Sequence, residues 1–172
     1  MIHTVGHSTR AIADFIALVR EGGVRTLVDV RRQPFSRRHP QFSRDALARS
    51  LAEAGIAYVH EIDLGGHREP RADSPNTAWR NEAFRGYADN METTAFQDAL
   101  ARTAALAHAA VMCAEARPLD CHRQLLADAL VARGIAVRHL IAPGTVEDHR
   151  LHPRAVRRGD VLVYPAAGQL TF

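Results

Sequence analysis

Short apolar runs rich in β-branched residues alternate with segments whose apolar residues recur at helical spacing, and this alternation constrains the fold more than any other feature. The runs are IHTV (2–5), VRTLVDV (24–30), IAYVHEI (56–62), AAVMC (109–113) and IAVRHLI (135–141). Between them the spacing predicts helices over 11–20, 43–54, a short one over 79–88, a longer one over 93–108, and 121–133. Gly22-Gly23, Gly55 and Gly134 stand where these helices should close. Ser8 or Thr9, and Ser43, are the expected N-caps of the first two. Parallel neighbours need crossover helices, so the pattern predicts an α/β domain: a three-layer sandwich with a mainly parallel sheet of about five strands.

With 172 residues the chain fits one domain, residues 1–172. The stretch 63–90, dense in Gly, Pro, Arg and Asn, is expected as a long excursion or lid. Residues 145–172 form a C-terminal tail in which VLVYP and QLTF should make a hairpin or edge strand after the basic turn RAVRRGD. The chain has no tract of about 18 apolar residues and no basic-then-apolar leader, so no membrane partner and a cytoplasmic location are expected. Two cysteines are poor evidence for a disulfide framework, and both read as thiols. All 22 basic side chains are arginine, yet the net charge is only +3, so a grip on nucleic acid would depend on clustering.

In an open α/β sheet the parallel strands end at one edge, and ligands bind outside their carboxyl ends. The turns that should meet there are GHSTR (6–10), RRQPFSRRHPQF (31–42), DLGGHR (63–68) and AEARPLDCHR (114–123). Backbone amides at Gly65, Gly66 and the helix start near Cys121, with Arg31, Arg37, Arg38 and Arg123, suggest an anion pocket.

TVGHS, LVDVR followed by P-x-SR, GIAYVHEIDLGG, MCAE-x4-DCHR, and a late HP and YP together resemble the domain-of-unknown-function family DUF488. The likeness covers nearly the whole chain, and the MCAE to CHR block is its most specific part. It implies an α/β fold in the cytoplasm and supports the site positions, with no settled reaction.

The candidate chemistry centres on Glu115, two residues past an apolar strand, where a carboxylate can enter a partly dry cleft as general acid or base. An ion pair with Arg123 or Arg31 accounts for it equally well. His7 and His122 are assigned to orientation or proton transfer, and Gly6, Ser8, Arg31, Arg37, Gly65, Gly66, Cys121 and Arg123 to substrate binding. Asp29 and Arg31 share a face by period two and should pair. Cys121, near a helix start and close in sequence to Arg117, His122 and Arg123, could be a nucleophile, although the loop does not match the Cys-x5-Arg form of phosphatases. Cys113, Glu115, Cys121, His122 and His7 are possible metal ligands, but short ligand spacings are missing and no metal is assigned. The basic and aromatic run 31–42 suits a nucleic-acid strand, and a loop pinned by Phe35 and Phe42 would look the same. Trp79, Phe84 and Tyr87 could form a stacking lid or a small satellite core.

The sequence thus points to an enzyme that binds a phosphate-bearing nucleotide or nucleic acid and hydrolyses an N-glycosidic or phosphoester bond, cofactor unknown. Two alternatives stay open: a non-catalytic nucleotide or nucleic-acid binding module, and a metal-dependent enzyme using Cys113, Glu115, Cys121 or His122.

Overall fold

The computed structural model describes residues 1–168. Eight strands form: β1 (Ile2–Gly6), β2 (Thr26–Asp29), β3 (Ala57–His60), β4 (Ala109–Cys113), β5 (Val137–Ala142), β6 (Thr145–Asp148), β7 (Val156–Arg158) and β8 (Val161–Val163). Five helices accompany them: α1 (Ile12–Glu21), α2 (Arg44–Glu53), α3 (Glu82–Asn90), α4 (Thr94–Ala104) and α5 (Arg123–Ala132). The main sheet has the order β3-β2-β4-β1-β5-β6, parallel through its first five strands. β1 and β4, at its centre, are buried at every position, as expected of parallel strands covered on both faces.

The pleat sorts the apolar residues into two cores. Val5, Leu27, Ala110 and Met112 face α1 and α2, packing against Phe15, Leu18, Leu47 and Leu51. Val28, Val111 and Cys113 face the opposite layer, where Tyr87, Phe96, Leu125 and Leu130 of α3, α4 and α5 close over them. The result is the three-layer arrangement.

The sheet carries six strands, one more than the sequence suggests. β6, drawn from the expected tail, pairs antiparallel with β5 across the Pro143-Gly144 turn, where Gly144 adopts φ +70°. The basic segment is likewise strand and not turn: Val156–Arg158 pairs antiparallel with Val161–Val163, and Gly159 at φ +60° makes the reversal. QLTF, expected as a pairing partner, lies outside the described residues. Neither Ser8 nor Thr9 caps α1, whose N-cap is Ala11, and the Ser43 hydroxyl makes no capping bond. The short helix of the excursion begins at Glu82, after Trp79.

Two buried aspartates fix the connections. Asp89 of α3 accepts bonds from Arg71 N (2.8 Å), Ser74 Oγ (2.6 Å) and Asn76 Nδ2 (2.7 Å), stitching the irregular first part of the 63–90 excursion to the helix that ends it. Asn76 Oδ1 in turn accepts from Tyr164 N at 2.8 Å, so the excursion and the C-terminal segment hold each other. Trp79 packs edge-on against Phe84 and Tyr164, and this aromatic group is continuous with the core under α3, α4 and α5. Asp128 of α5, fully buried, accepts from His149 Nε2 (2.8 Å), His152 N (2.9 Å) and Tyr164 Oη (2.9 Å). Removing its carboxylate strands one buried and two part-buried donors, and a donor left unpaired in the interior costs about 1–3 kcal/mol. Asp128→Ala is therefore expected to lower unfolding free energy by about 3 kcal/mol or more. Urea denaturation measures it, and a loss below about 1 kcal/mol would show that the C-terminal segment is held by something else.

Candidate functional site

The first four β-strands end on one rim, and there the chain encloses a cleft of about 860 Å³. Its lining comes from His7 after β1, Arg31 to Gln33 with Phe35 and Ser36 after β2, Ile62, Gly66 and His67 after β3, and Cys113 to Glu115 with Asp120 to His122 after β4. Asn81, Ala83 and Phe84 close the remaining side from the excursion.

Arg31 is held more by the fold than by the cleft. Its Nε and Nη2 donate to the two oxygens of buried Asp29 at 2.9 and 2.6 Å, and Nη2 also reaches the Phe42 carbonyl at 2.8 Å. Tyr58 Oη donates to the same aspartate at 2.8 Å. Nη1 donates to His7 Nε2 at 3.2 Å, which leaves one N–H hydrogen of the guanidinium for a ligand. The anion site expected at Arg31 is thus mainly a buried ion pair, whose hydrogen-bonded partners order the loop after β2.

His7, 4% exposed, stacks on Phe42 with ring centroids 4.3 Å apart. Its Nδ1 faces the Ser8 carbonyl at 2.9 Å and must donate there, so Nε2 is the acceptor for Arg31. Burial is the main reason that its pKa falls to about 4, with the Arg31 charge adding to the effect. His122 is lowered further, to about 3, first by burial and then by Arg123, His67 and Arg68. Its ring packs against Tyr87, its Nε2 is enclosed without a partner, and a side chain at Gly66 would collide with Nδ1. Both rings are uncharged at neutral pH, which assigns them hydrogen bonding and shape and removes the general-acid role.

Arg123 corrects the sequence reading most sharply. It is fully buried and lies behind the cleft, where its guanidinium cannot meet a ligand. Nε donates to Cys113 Sγ at 2.9 Å, Nη2 to the Glu115 and Ala116 carbonyls at 2.5 and 3.3 Å, and Nη1 to Thr4 Oγ1 at 3.3 Å. Desolvation brings even this group down to about 10. Among the described residues it has no carboxylate partner within ion-pair distance. Gly6 makes the neighbouring contact possible, since a Cβ there would overlap the Glu115 carbonyl.

The other expected binding residues divide. Cys121 and Gly66 line the cleft, whereas Gly6, Ser8, Arg37 and Gly65 do not. The Gly65 amide is taken by the Ile62 carbonyl, the Ser8 amide by that of Ala114, and Arg37 and Arg38 are exposed outside the lining. Arg32, which the sequence offers only as part of the basic and aromatic run 31–42, lines the cleft while bonding the His67 carbonyl at 2.9 Å, and Asp120, which sequence reasoning missed, adds a second carboxylate. Phe35, 67% exposed, presents an open ring at the mouth.

Glu115 sits at the rim, exposed, with Oε2 3.0 Å from Cys113 Sγ. It is not drawn into a dry recess. The two cysteines are not the separate packing thiols that the sequence suggests: they are paired with each other as a disulfide, and neither is a free thiol. Their Cα atoms are 7.7 Å apart, beyond the span of about 4.4–6.8 Å typical of disulfides. Donor atoms of Cys113, Cys121 and Glu115 all lie within 4.8 Å of one another, a set able to hold a metal ion.

A family model described as a domain of unknown function, DUF488, matches residues 11–130. The chain belongs to the DUF488 family. No curated protein and no solved structure matches this DUF488 chain. The matched span contains the last three of the four strand-end turns, including the whole MCAE to CHR block, while His7 precedes it and β5 to β8 follow it. No helix of the described residues is long and apolar enough to cross a membrane.

The depressed histidines predict an acid-sensitive fold. Above about pH 6.5, His7 and His122 are uncharged whether the chain is folded or not, and stability is independent of them. As pH falls from there towards 4, the unfolded chain binds protons that the fold refuses, so stability is lost. Unfolding free energies from urea denaturation at about pH 7 and about pH 5 should differ by roughly 1–2 kcal/mol per histidine. His7→Gln should shrink the difference, and an unchanged pH slope would mean that His7 titrates normally in the fold.

Proposed function

We propose that this chain is a hydrolase that holds a phosphate-bearing nucleotide or nucleic-acid segment in the strand-end cleft and cleaves an N-glycosidic or phosphoester bond there. The observation that carries the reading is the placement of Glu115. Its carboxylate stands at the rim of a cleft whose two lining histidines, being uncharged and lowered to about 4 and 3, cannot supply a proton at neutral pH. Both ring nitrogens of His7 are engaged, by the Ser8 carbonyl and by Arg31, and His122 Nε2 is enclosed, so of the three residues assigned to catalysis the exposed Glu115 carboxylate is the one free to take a proton in the cleft.

In this scheme Glu115 accepts the proton of an attacking water. The water oxygen bonds to the electrophilic carbon or phosphorus, the bond to the leaving group breaks with its electron pair, and Glu115 returns the proton to the leaving group. Arg32 and the remaining Arg31 N–H meet phosphate oxygens, and the open ring of Phe35 gives a base a face to stack on. Arg37 and Arg38, exposed in the same loop, extend the positive surface beyond the cleft.

The test is turnover and binding with a panel of nucleotides and short single strands. Glu115→Gln should lower kcat by about 10²-fold or more with binding retained. Phe35→Ala and Arg32→Ala should weaken binding, the latter more at low salt. Binding without turnover in the wild type would make the domain a non-catalytic module, and an unchanged rate in Glu115→Gln would remove the catalytic assignment.

A further inference from the structure

The β4 exit places two sulfurs and a carboxylate together although no short ligand motif links them. Cys113 ends β4, the single-turn 3-10 segment Pro118–Asp120 folds the chain back, and Cys121 follows it directly. That turn closes the eight-residue separation, so that the two Sγ atoms and a Glu115 oxygen share one small volume.

The surroundings fit negative charge on the sulfurs. Arg123, fully buried and without a carboxylate among the described residues, sends its Nε–H into Cys113 Sγ at 2.9 Å, and its backbone N–H reaches Cys121 Sγ at 3.5 Å. An isolated buried cation is costly, and an anionic sulfur beside it offsets that cost. N–H groups directed at sulfur are also how outer-shell residues support thiolate ligands. Two thiolates and a carboxylate carry three negative charges; a divalent ion and the Arg123 guanidinium bring three positive ones. The cluster is then neutral in a setting that tolerates little net charge.

We infer that Cys113, Cys121 and Glu115 bind one thiophilic divalent metal ion, zinc being the expected occupant, with a fourth position open to the cleft. Two sulfurs with one oxygen select zinc-class ions over magnesium or calcium, which prefer all-oxygen sets. Three protein ligands with an open position is the pattern of a catalytic rather than a structural zinc site. The sulfurs separate on chelation, to which the wide Cα spacing of 7.7 Å is better suited than to a disulfide. Glu115 ligates through Oε2, the oxygen beside the sulfurs, which leaves Oε1 for the proton transfer, and a metal held here is measurable whether or not the cleft performs hydrolysis.

The experiment uses the full chain purified under reducing conditions without added metal. Elemental analysis should find about one equivalent of zinc, and replacement by cobalt should give a sulfur-to-cobalt charge-transfer band. Cys113→Ser and Cys121→Ser should each lose the band and most of the metal, and Glu115→Gln should keep the band with weaker affinity. Arg123→Lys should weaken affinity by about 10–100-fold. Cobalt titration of the wild type gives an answer even if a variant fails to fold. Trace metal and no band in the reduced wild type would overturn the inference, as would non-reducing mass spectrometry showing the freshly isolated protein to be a stable disulfide. A metal-loaded protein without turnover would leave the site standing and remove the hydrolase reading, whereas turnover by a wild type that takes up neither zinc nor cobalt would remove the site and leave the hydrolase reading.

Discussion

The structure is organised around a guanidinium in the wrong place for a surface ion. Arg123 lies between the sheet and α5 with no exposure, and its N–H groups must be satisfied where no water reaches. Those partners are the Cys113 sulfur, two carbonyls of the β4 exit and the Thr4 hydroxyl of β1. One side chain thereby ties the two central strands to the loop that carries Glu115. Position and charge in the cleft follow from this: the loop is shaped by what a buried cation needs.

From Thr4 the bonding continues. Thr4 Oγ1 meets His139 Nδ1 at 2.7 Å, His139 Nε2 meets His149 Nδ1 at 3.0 Å, and His149 Nε2 meets Asp128 at 2.8 Å. These contacts form one continuous run of hydrogen bonds from the Arg123 guanidinium to the Asp128 carboxylate. Burial, the neighbouring His149 and Arg123 hold His139 down to about 4, in keeping with that arrangement. A buried positive charge and a buried aspartate thus share one hydrogen-bonded chain across the core instead of a direct salt bridge, and the strand-end cleft and the C-terminal segment lie at its two ends.

Much of this was legible in the sequence because it followed from periodicity. The alternation of β-branched runs with helical spacing fixed the parallel sheet, and strand ends then located the turns around the cleft. The errors have physical causes. Pro143-Gly144 and Gly159-Asp160 are two-residue reversals between residues able to pair, and reading the second as part of a basic turn hid a strand. Arg123 looked like an anion ligand because it follows a strand exit. Yet Arg123, Ala127 and Leu130 fall at i, i+4 and i+7, the spacing of an inward stripe, and all three are buried. The cysteine pairing was not legible, since an eight-residue separation acquires meaning only once the 3-10 turn has folded.

The bonded run from Arg123 to Asp128 works as a cross-brace: taking out any one member leaves the polar groups on either side of the gap without partners. Because Tyr164 Oη donates to the same aspartate, the packing of the β4 exit and the seating of the final hairpin are braced by one set of hydrogen bonds through the middle of the molecule.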